Sequence, residues 1–345
     1  GLLQVGPESA GADPGPACYG QGGARPTVSD ANLVLGYLNP EGLVGGRLPL
    51  SLEKAHEAIR THVADPLGLS VERAAFGIFT IVNNNMVNGI RRVSVERGDD
   101  PRDFVLVGAG GATAAHLCAL AREMGVSKII IPKLASGLCA FGQIISDVKY
   151  NYMAPFPARL EGDETAAALA RTFAEIEARG ADDLAADGFS RDRIAVRRTL
   201  DMRYVGQVHE CSVQFDGGEI SADSLPALRE AFHRRHEELY TYSERHSAVE
   251  VVNVEAAISG LIEKPGAGAL QPGSGAEAAL KARRPIVVSE DGATVDAPIY
   301  DGGRLGAGDA VAGPAVIEEE TTTILVQPGW TALVHESGSY VLTAA

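Results

Sequence analysis

Glu8, Ser9, Asp13, Cys18 and Asp30 bring carboxyl, hydroxyl and thiol groups into one short stretch, residues 6–30. A carboxyl can trade protons with a reacting group, and a hydroxyl or thiol can attack one when a base activates it. Cys18 is the obvious nucleophile, but no partner base stands beside it in the sequence, and a loop-packing cysteine accounts for it better. His116 lies one turn into an expected helix, where capping or packing is commoner than general-base work. Asp13, Cys18, Asp30 and His116 are therefore the catalytic candidates. A second constellation is Gly108, Gly110, Gly111 and Ala112, which follow an apolar run and precede a helix. Glycines there let backbone N–H groups approach an anion or nucleotide closely. No Gly-Lys-Ser/Thr follows, and Thr113 stands where a third glycine would, so a tight strand-to-helix turn fits the residues equally well.

Other polar groupings are less specific. Asn83, Asn84, Asn85 and Asn88 interrupt an amphipathic pattern with poor helix formers, which points to polar contacts or to a solvated face. Arg203, Gln207 and His209 fall on one face of a strand if Gly206 does not bulge. His233 and His236 share a helix face, but Arg234 and Arg235 between them suggest solvated surface, and no metal site is assigned. Glu318, Glu319 and Glu320 read as an acidic patch beside a turn.

The elements that must hold these groups follow from periodicity. Six Gly and four Pro in residues 6–30 exclude helix and strand and predict a long loop shaped by its backbone. Leu2–Val5 reads as a short strand before it. Ser29 or Asp30 caps a helix over 31–37. Ser70 opens a long helix ending near Gly98, with Ala75, Ile78, Phe79, Val82, Met86, Ile90 and Val93 inward. Phe104–Val107, the glycine turn, a helix to Met124 and Lys128–Ile131 form a βαβ unit with buried parallel strands. A buried helix is expected over 136–145, a surface helix over 165–187, and paired strands over 194–204 and 209–215. A helix over 224–240 and a strand over 249–259 follow. The organisation is 1–150, an α+β region at 151–263, a linker at 264–283 and a β-rich module at 284–345.

The chain has 345 residues and a net charge of −15, with no basic stripe for nucleic acid or anionic membranes. No apolar run approaches a membrane span. Four scattered cysteines (18, 118, 139 and 211) fit reduced thiols in the cytoplasm.

Pro7-Glu-Ser-Ala-Gly-Ala-Asp-Pro-Gly-Pro-Ala-Cys-Tyr-Gly20, followed by Pro26-Thr-Val-Ser-Asp-Ala-Asn-Leu-Val-Leu-Gly36, closely resembles the signature of the hydantoinase A / 5-oxoprolinase family. Residues 86–102, 201–210, 239–243, 312–318 and 328–330 are similar to further family segments. The resemblance implies an α/β fold: an actin-like (ribonuclease H-like) ATPase half-domain with a mixed α+β region and a small C-terminal β module. It implies ATP and Mg²⁺ as cofactors, with Gly108, Gly110, Gly111 and Ala112 against the nucleotide and the loop from Glu8 to Asp30 facing the cleft. The implied activity is ATP-dependent opening of cyclic amides, in which phosphorylation activates an unreactive oxygen. Ketone carboxylation is the alternative activity, and a non-catalytic assembly module is the alternative of another class. The implied partners are a B-type subunit or domain, a small-molecule substrate and, because the Asp-x-Gly-Gly-Thr phosphate loops are absent, an N-terminal half of the same subunit. An oligomer is expected. Residues 110–116 and 136–147 depart from the commoner hydantoinase forms, which keeps the carboxylase branch open.

Overall fold

The computed structural model describes residues 2–215, 218–266 and 268–345, which form two compact units: 2–141 with 266–345, and 142–265. The helices are α1 (Val28–Val34), α2 (Leu52–Ile59), α3 (Asp65–Leu67), α4 (Val71–Val93), α5 (Leu117–Met124), α6 (Leu138–Ile145), α7 (Asp163–Ala186) and α8 (Leu225–Tyr240). The strands run in chain order as β1 (Leu106–Val107), β2 (Lys128–Ile131), β3 (Val148–Arg159), β4 (Ile194–Tyr204), β5 (Cys211–Phe215) and β6 (Val249–Gly260). They continue with β7 (Leu280–Val287), β8 (Thr294–Asp301), β9 (Ala310–Ala312), β10 (Ala315–Glu318), β11 (Thr323–Val326), β12 (Trp330–Val334) and β13 (Tyr340–Ala344).

The first unit is built on two sheets, ordered β1-β2-β13-β12-β9 and β11-β10-β8-β7. β1 and β2 are parallel, as the strand–turn–helix–strand pattern predicts, and β13 joins β2 antiparallel with Leu342 opposite Ile129. One core joins α5 to strands of both sheets through Leu117, Leu120, Ile129, Ile317, Ile324, Trp330 and Leu342. A second core lies between α1, α4 and the sheet containing β7, with Leu35, Tyr37, Ile78, Phe79, Ile286, Ile299 and Leu325. α4 starts at its Ser70 cap, whose hydroxyl accepts from the Arg73 N–H, and its buried stripe is Ala74, Ala75, Ile78, Phe79, Asn83 and Val87. Ala75, Ile78 and Phe79 face inward as expected and Met86 and Ile90 pack half-buried against the first core, whereas Val93 is exposed.

In the second unit α7 and α8 pack through Leu169, Phe173, Leu184, Leu228 and Phe232 against the antiparallel sheet β3-β6-β4-β5. Gly180 makes the close approach: a Cβ there would lie 2.8 Å from Ile258 and 2.9 Å from Tyr152.

Several expectations are corrected. Leu2–Val5 joins no strand ladder. Phe104–Val107 is not a buried run: Phe104, before β1, is 57% exposed and Val107, on that outer strand, 54%, and only Leu106 packs against the core. α6 buries none of its residues. Residues 284–345 do not stand apart as a module, because β13 and β12 complete the sheet begun by β1 and β2. The expected linker is tied from Leu270 onward: the Leu270 N–H donates to Glu336 O at 2.6 Å and the Gly273 N–H to Ala307 O at 2.9 Å. Ala267, within that expected linker, lies outside the described residues. Among the described residues no helix is long and apolar enough to cross a membrane.

Candidate functional site

The Pro/Gly-rich run folds back on itself and, with α4, encloses a groove of about 1170 Å³. Glu8, Ser9, Asp13, Tyr19 and Arg25 line it from the loop, and Ile78, Val82 and Asn85 from the helix. Close backbone approach needs glycine here: a Cβ on Gly23 would sit 2.1 Å from Gly15 O. Asn85 fastens the loop's start, its carboxamide donating to Val5 O at 3.1 Å.

Asp30 organises the loop rather than reacting within the groove. Its buried carboxylate accepts from the Cys18 N–H at 2.7 Å, the Ala17 N–H at 3.3 Å, the Thr27 N–H at 2.7 Å and the Thr27 hydroxyl at 2.8 Å. The N-cap of α1 is therefore Thr27, not Ser29 or Asp30, and Thr27 with Asp30 forms a reciprocal capping box. Thr27-x-x-Asp30 carried that signal in the sequence. Cys18 is buried with Leu33 and Ala55, and burial, reinforced by the Asp30 charge, pushes its thiol up. A thiol held protonated is a packing group and not a nucleophile. Asp13 is exposed and lines the groove. Glu8 does too, 3.5 Å from the Arg25 guanidinium on the same wall.

His116 is buried between α1, α4 and the start of α5. Its Nδ1 lies 2.7 Å from Asn83 Oδ1, its Nε2 lies 3.2 Å from Asn32 Nδ2, and its ring stacks on Phe79 with centroids 4.9 Å apart. Those partners assign the neutral tautomer with the proton on Nδ1. Burial lowers its pKa to about 4. Enclosed in this way, His116 links α1, α4 and the start of α5 and reaches no substrate.

Two positions of the glycine turn are tied up by backbone hydrogen bonds. The Gly108 N–H donates to Ile130 O at 2.9 Å and the Gly110 N–H to Ala135 O at 2.7 Å, so neither is free for an anion. A Cβ on Gly108 would lie 2.3 Å from Leu117, which explains that glycine by packing. Gly111 and Ala112 are exposed. Beside them the Ser136 and Thr321 hydroxyls are 2.6 Å apart, and the Thr322 hydroxyl holds Gly111 O at 2.7 Å. Among the described residues no three or more His, Cys, Asp or Glu are grouped to hold a metal ion.

The remaining polar groupings are structural. Gly206 has φ of +91°, so the chain turns after β4, and Arg203, Gln207 and His209 do not share one strand face. Arg203 pairs with Glu250 at 2.7 Å, while Gln207 turns in to His236 Nε2 at 2.9 Å. His233 and His236 are buried, not solvated, and Tyr204 bridges His233 Nδ1 at 2.8 Å and the Glu244 N–H at 2.7 Å. The acidic triplet is an ion-pair hub: Glu318 accepts from Lys281 and Arg284, Glu319 from Lys133 and Tyr340, and Glu320 from Arg47.

Comparison with known proteins sets this loop in a family. The hydantoinase/oxoprolinase model matches residues 1–152, and the hydantoinase/oxoprolinase C-terminal domain model matches residues 159–339. The chain belongs to the hydantoinase/oxoprolinase family. It is 49% identical to the caprolactamase subunit alpha of Pseudomonas jessenii over 99% of this chain and 50% of that subunit. The crystal structure of the ATP-dependent caprolactamase from that organism matches with a TM-score of 0.80 and 48% identity, covering 100% of this chain and 50% of the other. Nucleotide-free acetone carboxylase matches with a TM-score of 0.87 and 28% identity, at the same coverages. The chain spans about half the length of these relatives. The mixed α/β architecture with several sheets is common to all of them.

Proposed function

We propose that this chain contributes the Glu8–Asp30 groove to an ATP-dependent enzyme that opens a cyclic amide, working as part of a larger subunit with an actin-like ATPase fold. The observation that carries this reading is the groove itself: exposed Asp13 and Glu8 on a loop clamped by one buried carboxylate, in a chain 49% identical to a caprolactamase subunit. ATP, when bound, would supply the phosphoryl group that makes the amide carbon electrophilic enough for water to add and the ring nitrogen to leave as an amine, the phosphate being released by hydrolysis. Gly111 and Ala112, with the Ser136 and Thr321 hydroxyls, hold one side of the nucleotide. Asp13 moves protons at the groove wall, and the Glu8–Arg25 pair orients the polar edge of the substrate. Among the described residues no three or more His, Cys, Asp or Glu gather, so Mg²⁺ would rest on one or two carboxylates and the phosphates of the nucleotide.

A ketone carboxylase is the second reading, favoured by the higher TM-score to acetone carboxylase. Residue identity weighs more for substrate choice, because the backbone is shared while side chains do the chemistry. Partner subunits have a candidate seat on the β1 edge, where Phe104, Val105 and Val107 are exposed.

The test is phosphate release from ATP by the assembled enzyme, offered ε-caprolactam, 5-oxoproline, or acetone with bicarbonate. Lactam-dependent turnover that Asp13→Asn lowers by about a hundredfold or more supports the reading. Turnover with acetone alone replaces it with the carboxylase. A complex that assembles but turns over none of them leaves the assembly role. Ala112→Glu, on exposed backbone, tests the nucleotide contact more cleanly than the packed glycines.

A further inference from the structure

The sheet of the second unit ends on a long strand that has a neighbour on one side only. β3 has 12 residues, and among the described residues it pairs with β6 alone. An open edge of this length presents N–H and C=O groups ready to receive another strand. Its two halves differ. Pro155 and Pro157 guard the far half, where the register also breaks between Pro155 and Ala158. Residues 148–154 carry no proline and a single charge, Lys149, and Val148, Tyr150 and Met153 are exposed there.

The alternation of the ladder fixes which groups are open. Pro155 has no N–H yet stays in register opposite Asn253, so its nitrogen faces away from β6. In an antiparallel ladder the backbone of Lys149, Asn151 and Met153 then faces outward too. Their side chains lie on the sheet face away from α7, because Tyr150 and Tyr152, of the other parity, donate their hydroxyls to Asp187 and Asp183 at the end of α7. Beside Met153 on that face stands Glu255, half-buried. Its carboxyl is held above the usual range by burial and by the Asp201 charge, with no cation to offset them.

We propose that β3 is a seam between two copies of this chain, in which residues 148–154 pair antiparallel with the same residues of a second copy about a two-fold axis at Asn151. Asn151 then faces its own counterpart, Lys149 faces Met153 of the second copy, and Tyr150 faces Tyr152. The outward residues exchange both N–H···O bonds, and the tyrosines form cross-strand aromatic pairs. This register uses all three outward residues of each copy and keeps Lys149 away from its counterpart. It also answers Glu255. Across Met153, Lys149 of the second copy lies two strand spacings away, about 10 Å between backbones, which the two side chains together span. One strand edge is a small contact, so free chains pair there only when concentrated. The seam holds firmly where larger contacts already gather the copies. The assignment does not depend on the groove's chemistry.

The test is disulfide trapping in the full chain at high concentration under mild oxidation, with the exposed Cys139 changed to serine. Asn151→Cys sets two thiol-bearing residues about 5.5 Å apart at Cα, within disulfide range. Lys149→Cys alone leaves them about 13 Å apart along the strands. The expected result is that Asn151→Cys forms a covalent dimer about tenfold faster than Lys149→Cys, and that Lys149→Cys combined with Met153→Cys recovers the dimer. Met153→Lys, at an exposed position, sets lysines opposite one another and slows the trapping of Asn151→Cys several-fold without altering thermal unfolding. Equal rates for the two single variants mean random collision and overturn the proposal. No trapping also overturns it, and leaves the edge for a strand of another protein. Trapping that ignores Met153→Lys overturns the register centred on Asn151.

Discussion

A carboxylate that accepts from three backbone N–H groups and a hydroxyl has its lone pairs occupied in holding the chain. Asp30→Ala strands buried donors on both arms of the loop, and the expected loss is about 3 kcal/mol, with faster hydrogen exchange at Ala17, Cys18 and Thr27 as the local readout. Unchanged exchange there would show that the loop holds without Asp30. His116 gives a pH prediction of definite sign. Its pKa is lowered in the folded chain from an ordinary 6.5 to about 4 by burial, so between those values the unfolded chain binds the extra proton. Stability therefore falls as pH drops from about 6.5 to 4, by up to about 3 kcal/mol, and levels off below. Urea titrations of the wild type and His116→Gln across that window measure the difference; parallel curves would refute it. At this scale the sequence was half legible. The Thr27–Asp30 spacing announces a cap, whereas the partners of His116 at positions 32 and 83 meet it only after α1, α4 and α5 pack.

Consecutive residues on a helix point about 100° apart, and the asparagine run of α4 puts that fact to use. Asn83 faces the core and accepts the His116 Nδ1–H, Asn84 is exposed, and Asn85 holds the loop at Val5. Two of the three weak helix formers are thus kept in place by side-chain contacts. Periodicity located the long helices α4, α7 and α8 and the strands β4 and β6, but it missed β3. It failed where covering was the question. Apolar runs at 104–107 and 136–145 were read as buried because hydropathy records a preference for cover and says nothing of where the cover comes from. The buried His233 and His236 failed in the opposite sense, because Arg234 and Arg235 point outward from the same turn. Packing distance supplies the prediction at this scale. Gly180→Ala drives a methyl into Ile258 and Tyr152 across the α7–β6 contact and should destabilise the second unit by roughly 1–3 kcal/mol. Thermal unfolding should show that loss with the first unit's transition unmoved; an unchanged profile would mean that α7 shifts to accommodate the methyl.

At the scale of the molecule, two features follow from topology. The outer strand β1 presents unpaired backbone beside exposed Phe104, Val105 and Val107, the kind of edge on which another chain can add a strand. The isolated chain should therefore self-associate, and Val105→Lys with Val107→Lys should return it to monomer in sedimentation velocity; association that persists in the double variant would place the contact elsewhere. The domain layout was the least legible part of the sequence, because strand order is not written in local spacing. Nothing between positions 128 and 344 signals that β13 will lie beside β2. That pairing sets an order of events during synthesis. The ribosome releases residues 142–265 as a complete foldable body while the sheet begun at β1 and β2 still lacks its next neighbour, which arrives only with residues 340–344. Until then β2 offers a raw edge to any strand nearby. A message cut short after position 339 would yield one finished body and one permanently unzipped, a natural target for chaperones and proteases.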